Sequence, residues 1–231
     1  MKRALLVAGG IDRRQNHPRY RNDLAAFYRL LVQERRYDRQ DVRVHLGPGA
    51  FEDLDGDGEV EECRPATRRE IIAGFEWLAM PRAEDDIAFL VVSNHGDDEG
   101  LCPWGLEDVV RPADLEQPFR GSLATKVFVF GQCHAGIFSR LSLPRSVVLC
   151  ACSQDEPSHA CPEPIEYDEF LYHLVAALAG QYPDRASSPP GSVPSGIATI
   201  EDAFNYASAM DRMQETPLLS DPDGLAGGVS P

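Results

Sequence analysis

Residues 126–136, KVFVFGQCHAG, run from an apolar, β-rich stretch straight into a small, polar turn that carries a cysteine and a histidine side by side. Residues 86–96, DIAFLVVSNHG, repeat the arrangement, with a histidine and a glycine after the apolar run. Neither IAFLVV nor VFVF alternates apolar with polar residues. Both faces of each strand must therefore be covered, as in a parallel sheet held between helices.

Working outward, RALLVAG, DVRVHLG and SVVLCACS read as further strands, while NDLAAFYRLLVQE, ATRREIIAGFEWLAM and DEFLYHLVAALAG carry helical periodicity. The alternation predicts an α/β fold, a three-layer sandwich with a mainly parallel central sheet flanked by helices. At 231 residues and 43% hydrophobic, the chain suits one such domain, placed at 1–216. Within it, QYPDRASSPPGSVPSG (181–196) reads as a flexible surface loop. A last helix, TIEDAFNYASAMDRM, opens on Thr199 and Asp202 in capping-box spacing, and 217–231 reads as a flexible tail.

The net charge of −15 excludes a partner chosen for its phosphates, since nucleic-acid binders gather Lys and Arg on one face. VAGG after the first strand lacks both the lysine of a phosphate loop and the third glycine of a dinucleotide fingerprint. No run approaches the ~18 apolar residues of a membrane span, and the first apolar run is shorter than a signal-peptide core. A cytoplasmic location and no membrane partner are expected. The six cysteines (63, 102, 133, 150, 152 and 161) are then expected to be thiols.

In open parallel sheets, sites form beyond the carboxyl ends of the strands. Two of the most apolar strands deliver His95 and Cys133 there, with one crossover between them, so the strands are expected to be neighbours. An imidazole beside a thiol can take its proton and free the thiolate, the nucleophilic form. Gly96 lets a substrate carbonyl approach its backbone N–H, which with the Cys133 amide makes a two-donor oxyanion hole. His134, next in sequence to the nucleophile, points elsewhere and is read as a wall of the site.

The pair SNHG and GQCHAG resembles the caspase-like clan of cysteine peptidases, most nearly its legumain (asparaginyl endopeptidase) type. CSQDEPSHAC resembles the segment flanking the legumain specificity pocket, YDEFLYHLVAAL the helix after it, and PRYRNDLAAFYRLL the helix after the first strand. The likeness spans roughly residues 3–180. It implies a caspase-like fold and peptide-bond cleavage, with Cys133 as nucleophile, His95 as general base and acid, and Gly96 in the oxyanion hole. It further implies Arg21 and Ser158 in the substrate pocket, with Asp168 or Glu169 as the pocket acid and Asn16 or Asn22 orienting His95. The clan's acid two residues before the cysteine is replaced here by Gly131. An arginine and an acid lining one pocket together suit an amide such as asparagine.

Two other constellations bear on metals. In DLDGDGEVEE (53–62), Asp53, Asp55, Asp57 and Gly58 match the start of a calcium loop, but position 12 is Arg64 in place of the bidentate glutamate. That leaves two readings, a plain acidic turn or a looser calcium site on Asp53, Asp55 and Asp57, with no cofactor required for catalysis. Cys150, Cys152, His159 and Cys161 are zinc-ligand types at a spacing foreign to zinc sites, and Cys150 reads as core. The sequence thus predicts a thiol endopeptidase acting on protein or peptide substrates. Its rivals are a catalytically weak caspase-like recognition or scaffold module, and a metal-binding regulatory protein.

Overall fold

The computed structural model describes residues 1–184 and 199–231. The strands are β1 (Lys2–Ala8), β2 (Val42–Leu46), β3 (Ala50–Glu52), β4 (Glu61–Arg64), β5 (Ile87–Ser93), β6 (Gly96–Asp97), β7 (Gly100–Leu101), β8 (Thr125–Phe130), β9 (Ser146–Cys150) and β10 (Leu218–Ser220). The helices are α1 (Pro18–Arg29), α2 (Arg68–Leu78), α3 (Pro112–Phe119), α4 (Glu169–Ala179) and α5 (Ile200–Met210). Eight strands form one sheet in the order β10-β9-β8-β5-β1-β2-β4-β3, and β6 pairs with β7 as a small separate ribbon. The central strands are all parallel, and only β3 and β10 run antiparallel to their neighbours.

The pleat divides the core in two. Ala4, Leu6, Phe89, Val91, Val127 and Val129 face α1, α4 and α5, while Leu5, Val7, Leu90, Val92, Phe128 and Phe130 face α2 and α3. That is the expected α/β sandwich, a large and mostly parallel sheet flanked by helices. In α1, Pro18 presets the first turn, and Tyr20, Leu24 and Phe27 lie buried at helical spacing against the sheet. In α4, the Asp168 carboxylate accepts the Leu171 N–H as N-cap, and Gly180 in the left-handed conformation ends the helix. Nearly every α4 side chain is buried, because the helix lies under α5 as well as on the sheet.

One expectation needs correcting, and the reading of the zinc-type residues holds. Residues 217–231 are no frayed tail: Leu218–Ser220 pair with β9 as edge strand β10, and the Val229 carbonyl accepts the Ile200 N–H. The otherwise open edge of β9 supplies the reason, since its unpaired backbone groups take a strand too short to read from sequence. The zinc-type residues do not assemble: Cys150 and Cys152 pack on the α2 and α3 side of the sheet, and Cys161 on the other. All six cysteines are unpaired thiols. Of the loop expected at 181–196, residues 185–196 lie outside the described residues.

The chain leaves β1 for β2 on one side and returns to β5 on the other. That switch of direction opens a crevice between the carboxyl ends of β1 and β5, where sites of such sheets form.

Candidate active site

Three strand ends meet at this crevice. The strands β5 and β8 are parallel neighbours with Val92 opposite Phe130, and the Gly131 N–H bonds the Val92 carbonyl at 2.8 Å. The two turns beyond them touch. A Cβ on Gly96 would stand 2.3 Å from the Cys133 carbonyl oxygen and 2.5 Å from Gln132 Cγ, so only glycine allows this approach. Cys102 N–H bonds the His95 carbonyl, which leaves Gly96 opposite Leu101 at the position of the β6–β7 ribbon without cross-strand hydrogen bonds. Its N–H is therefore not used by the ribbon.

His95 is held from three directions. The Asn94 side chain accepts the His95 N–H at 2.8 Å and donates to the Cys102 carbonyl at 3.0 Å, fixing the turn. The ring Nε2 lies 3.0 Å from the Gln15 carbonyl in the loop after β1. A carbonyl only accepts, so Nε2 carries the proton and the lone pair of the neutral ring sits on Nδ1. Gly10 (φ +68°) shapes that loop: a Cβ there would stand 2.4 Å from the Gln15 oxygen. The rings of Tyr20 and His17 meet His95 edge-on, with centroids 5.4 and 5.6 Å away. Burial lowers the His95 pKa below its usual value, the Gln15 bond opposes this, and His17 and Arg19 add to the lowering. The direction of that shift favours the neutral ring, whose Nδ1 accepts a proton.

Cys133 is partly exposed on the turn after β8. Its sulfur accepts the Ser158 N–H at 3.4 Å and lies 3.8 Å from the Ser158 carbonyl. His134 adopts the left-handed conformation (φ 58°), and its Nδ1 bonds the Gln154 carbonyl at 2.8 Å, so its ring is engaged on the 153–156 turn.

Behind Ser158 lies a buried acidic wall. Ser158 Oγ donates to Asp168 Oδ2 at 3.0 Å, the Asp168 N–H donates to Asp23 Oδ1 at 3.2 Å, and Asp23 Oδ2 accepts from Ser93 Oγ at 2.6 Å. This chain links the end of β5, α1, the N-cap of α4 and the sulfur's own neighbour. Burial pushes the Asp168 carboxyl up to about 7. Burial raises Asp23 as well, with repulsion from Asp168 behind it, and Glu215 rises for the same two reasons and for its nearness to Asp211. Arg19 is the cation whose charge reaches Asp23, Asp168 and His95, and its guanidinium stacks 5.0 Å over the Tyr20 ring.

The turns that carry His95, Gly96 and Cys133 are thus brought together with Ser158 and Asp168, while four other expected residues lie elsewhere. Arg21 donates to Glu52 and to the Asp53 carbonyl, on the far side of α1, and the arginine of the site is Arg19. The reason is helix phase: Arg19 and Asp23 are four residues apart on one face, and Arg21 is not on it. Glu169 turns from Asp168 toward His173, which lies 3.4 Å away. Burial works to raise its carboxyl, and the bonds to His173 and Cys161 outweigh it. Neither asparagine orients His95: Asn22 bonds the Glu166 carbonyl and the Asn16 amide lies by Gly47, whereas the orienting group is the Gln15 carbonyl. An acid at position 131 would have to displace Leu171 of α4, because a Cβ there would stand 2.5 Å from its Cδ1.

No protein-family model matches the chain, and no curated protein matches it.

Proposed function

We propose that the protein is a cysteine endopeptidase of caspase-like architecture, with Cys133 and His95 as its dyad. The observation that carries this reading is the abutment of the His95 and Cys133 turns at the switch of the sheet, with Nε2 tied to Gln15 and Nδ1 left as the base. His95 Nδ1 takes the thiol proton, and the Cys133 sulfur attacks the peptide carbonyl carbon. The oxyanion that forms lies against the backbone N–H groups of Gly96 and Cys133. His95 then returns its proton to the departing amine, leaving a thioester that water, deprotonated by the same ring, hydrolyses.

Arg19, Ser158 and Asp168 line the place for the residue before the scissile bond. A donor from Arg19 and an acceptor on Asp168 complement the oxygen and nitrogen of an asparagine side chain, and a charged group would leave one of them opposed. The calcium expectation stands apart from this chemistry, which uses no metal.

A peptidyl acyloxymethyl ketone library, varied in the residue next to the warhead, tests the reading. The expected result is labelling of Cys133, strongest with asparagine and lost in Cys133→Ala and His95→Ala. Labelling confined to arginine or lysine probes would replace the asparagine assignment, and no labelling with any probe would favour a recognition module on the same fold.

A further inference from the structure

The turn between β3 and β4 folds DLDGDGEVEE differently from the template it resembles in sequence. Because β3 and β4 are antiparallel with Glu52 opposite Glu61, the hairpin carries Glu61 back to the start of the loop. Oxygens of Asp53, Asp55 and Glu61 fall within 4.8 Å of one another. The missing glutamate of position 12 is therefore supplied from position 9, and Arg64 does not enter the question.

A second observation distinguishes this cluster from an ordinary acidic turn. The Asp55 side chain has no exposed surface, and its Oδ1 has no hydrogen-bond partner among the described residues. A carboxylate stripped of water with one oxygen unused calls for a cation. Arg39 covers part of that need from the solvent side: one guanidinium nitrogen bonds Asp55 Oδ2 at 2.7 Å and also reaches Asp57, and the other bonds Glu61 Oε1 at 2.6 Å. It leaves Asp55 Oδ1 unmet. The loop is meanwhile anchored from behind, since Arg21, Arg29 and Gln33 donate to the Asp53, Leu54 and Asp55 carbonyls.

We propose that Asp53, Asp55 and Glu61 form a calcium site whose resident counter-charge, the Arg39 guanidinium, is displaced when the metal binds. Oxygen-only donors on a loop of irregular geometry suit calcium, whereas magnesium demands a near-ideal octahedron and zinc prefers nitrogen and sulfur. Displacing Arg39 costs affinity, which places the dissociation constant on the order of 10⁻⁵ to 10⁻³ M. The proposal does not rest on the peptidase reading.

Terbium serves as the probe, because Tyr28 lines the same cleft of about 420 Å³ as Arg39 and Glu61 and can sensitise its emission. The full chain should show saturable terbium emission that calcium displaces and magnesium at equal concentration does not. Asp55→Asn should weaken calcium binding at least about tenfold, and Arg39→Gln should strengthen it by a similar factor. Circular dichroism of each variant checks that it is folded. Failure of calcium to displace terbium from the wild type, or undiminished binding in Asp55→Asn, overturns the site. Unchanged or weaker binding in a folded Arg39→Gln overturns the displacement.

Discussion

Lys126 and Gln132, at the two ends of β8, treat buried polar groups in opposite ways. At the amino end, Lys126 is fully buried, and its ammonium donates to the carbonyls of Ser122, Ala124 and Pro144 at 2.9, 2.9 and 2.8 Å. Every proton it carries is used. Just past the carboxyl end, Gln132 buries an amide whose nitrogen and oxygen both lack partners among the described residues; in the same site Arg19 Nε is likewise unmet there, and burial pushes the Asp168 carboxyl up to about 7. Polar groups that satisfy one another hold a fold together, whereas groups left short at a strand end are set to meet something from outside. On the proposed reading, one strand thus carries a structural end and a working end.

Substitutions at the two ends should separate stability from activity. The largest effect expected is from Cys133→Ala, which should reduce peptide cleavage by about 10⁴-fold or more and leave the unfolding midpoint unchanged. Lys126→Met should do the reverse. Three buried carbonyls lose their donor at once, so stability should fall by about 3 kcal/mol in denaturant titration while turnover per folded molecule is kept. Gly10→Ala probes the working end without touching the dyad: displacing the Gln15 carbonyl should lower kcat/KM by about 10²-fold.

The smallest effect concerns pH. The Asp168 carboxyl titrates near 4 in the unfolded chain and at about 7 in the folded one, so between these values the folded state holds more protons. Stability should therefore fall as pH rises from about 4 through 7. Asp168→Asn keeps the N-cap acceptor for Leu171 and removes the titration, and its stability curve should be flatter over that window.

The fold was largely legible in the sequence because β1, β5, β8 and β9 are uninterrupted apolar runs, and only a doubly covered sheet accepts them. Edge strand β10 was not, since three residues of mixed character gain their structure from the open edge of β9. In the site, His95, Gly96 and Cys133 announced themselves by chemistry at strand ends. The orienting group for His95 did not, because a backbone carbonyl has no residue identity to read. Arg19, Tyr20 and Asp23 were within reach: their spacing along α1 places them on one face with Leu24 and Phe27, a phase that Arg21 does not share. Glu61 escaped because its approach to Asp53 and Asp55 depends on hairpin pairing, which a linear spacing rule does not encode.

The central claim, that the His95 imidazole acts on the Cys133 sulfur, is tested most directly by alkylation of Cys133 with chloroacetamide across pH, read by mass spectrometry in wild type and His95→Gln. The account predicts a wild-type profile with an inflection below the ordinary histidine value, and a rate at neutral pH about tenfold or more above that of the variant. Superimposable profiles in the two proteins, both folded, would contradict it.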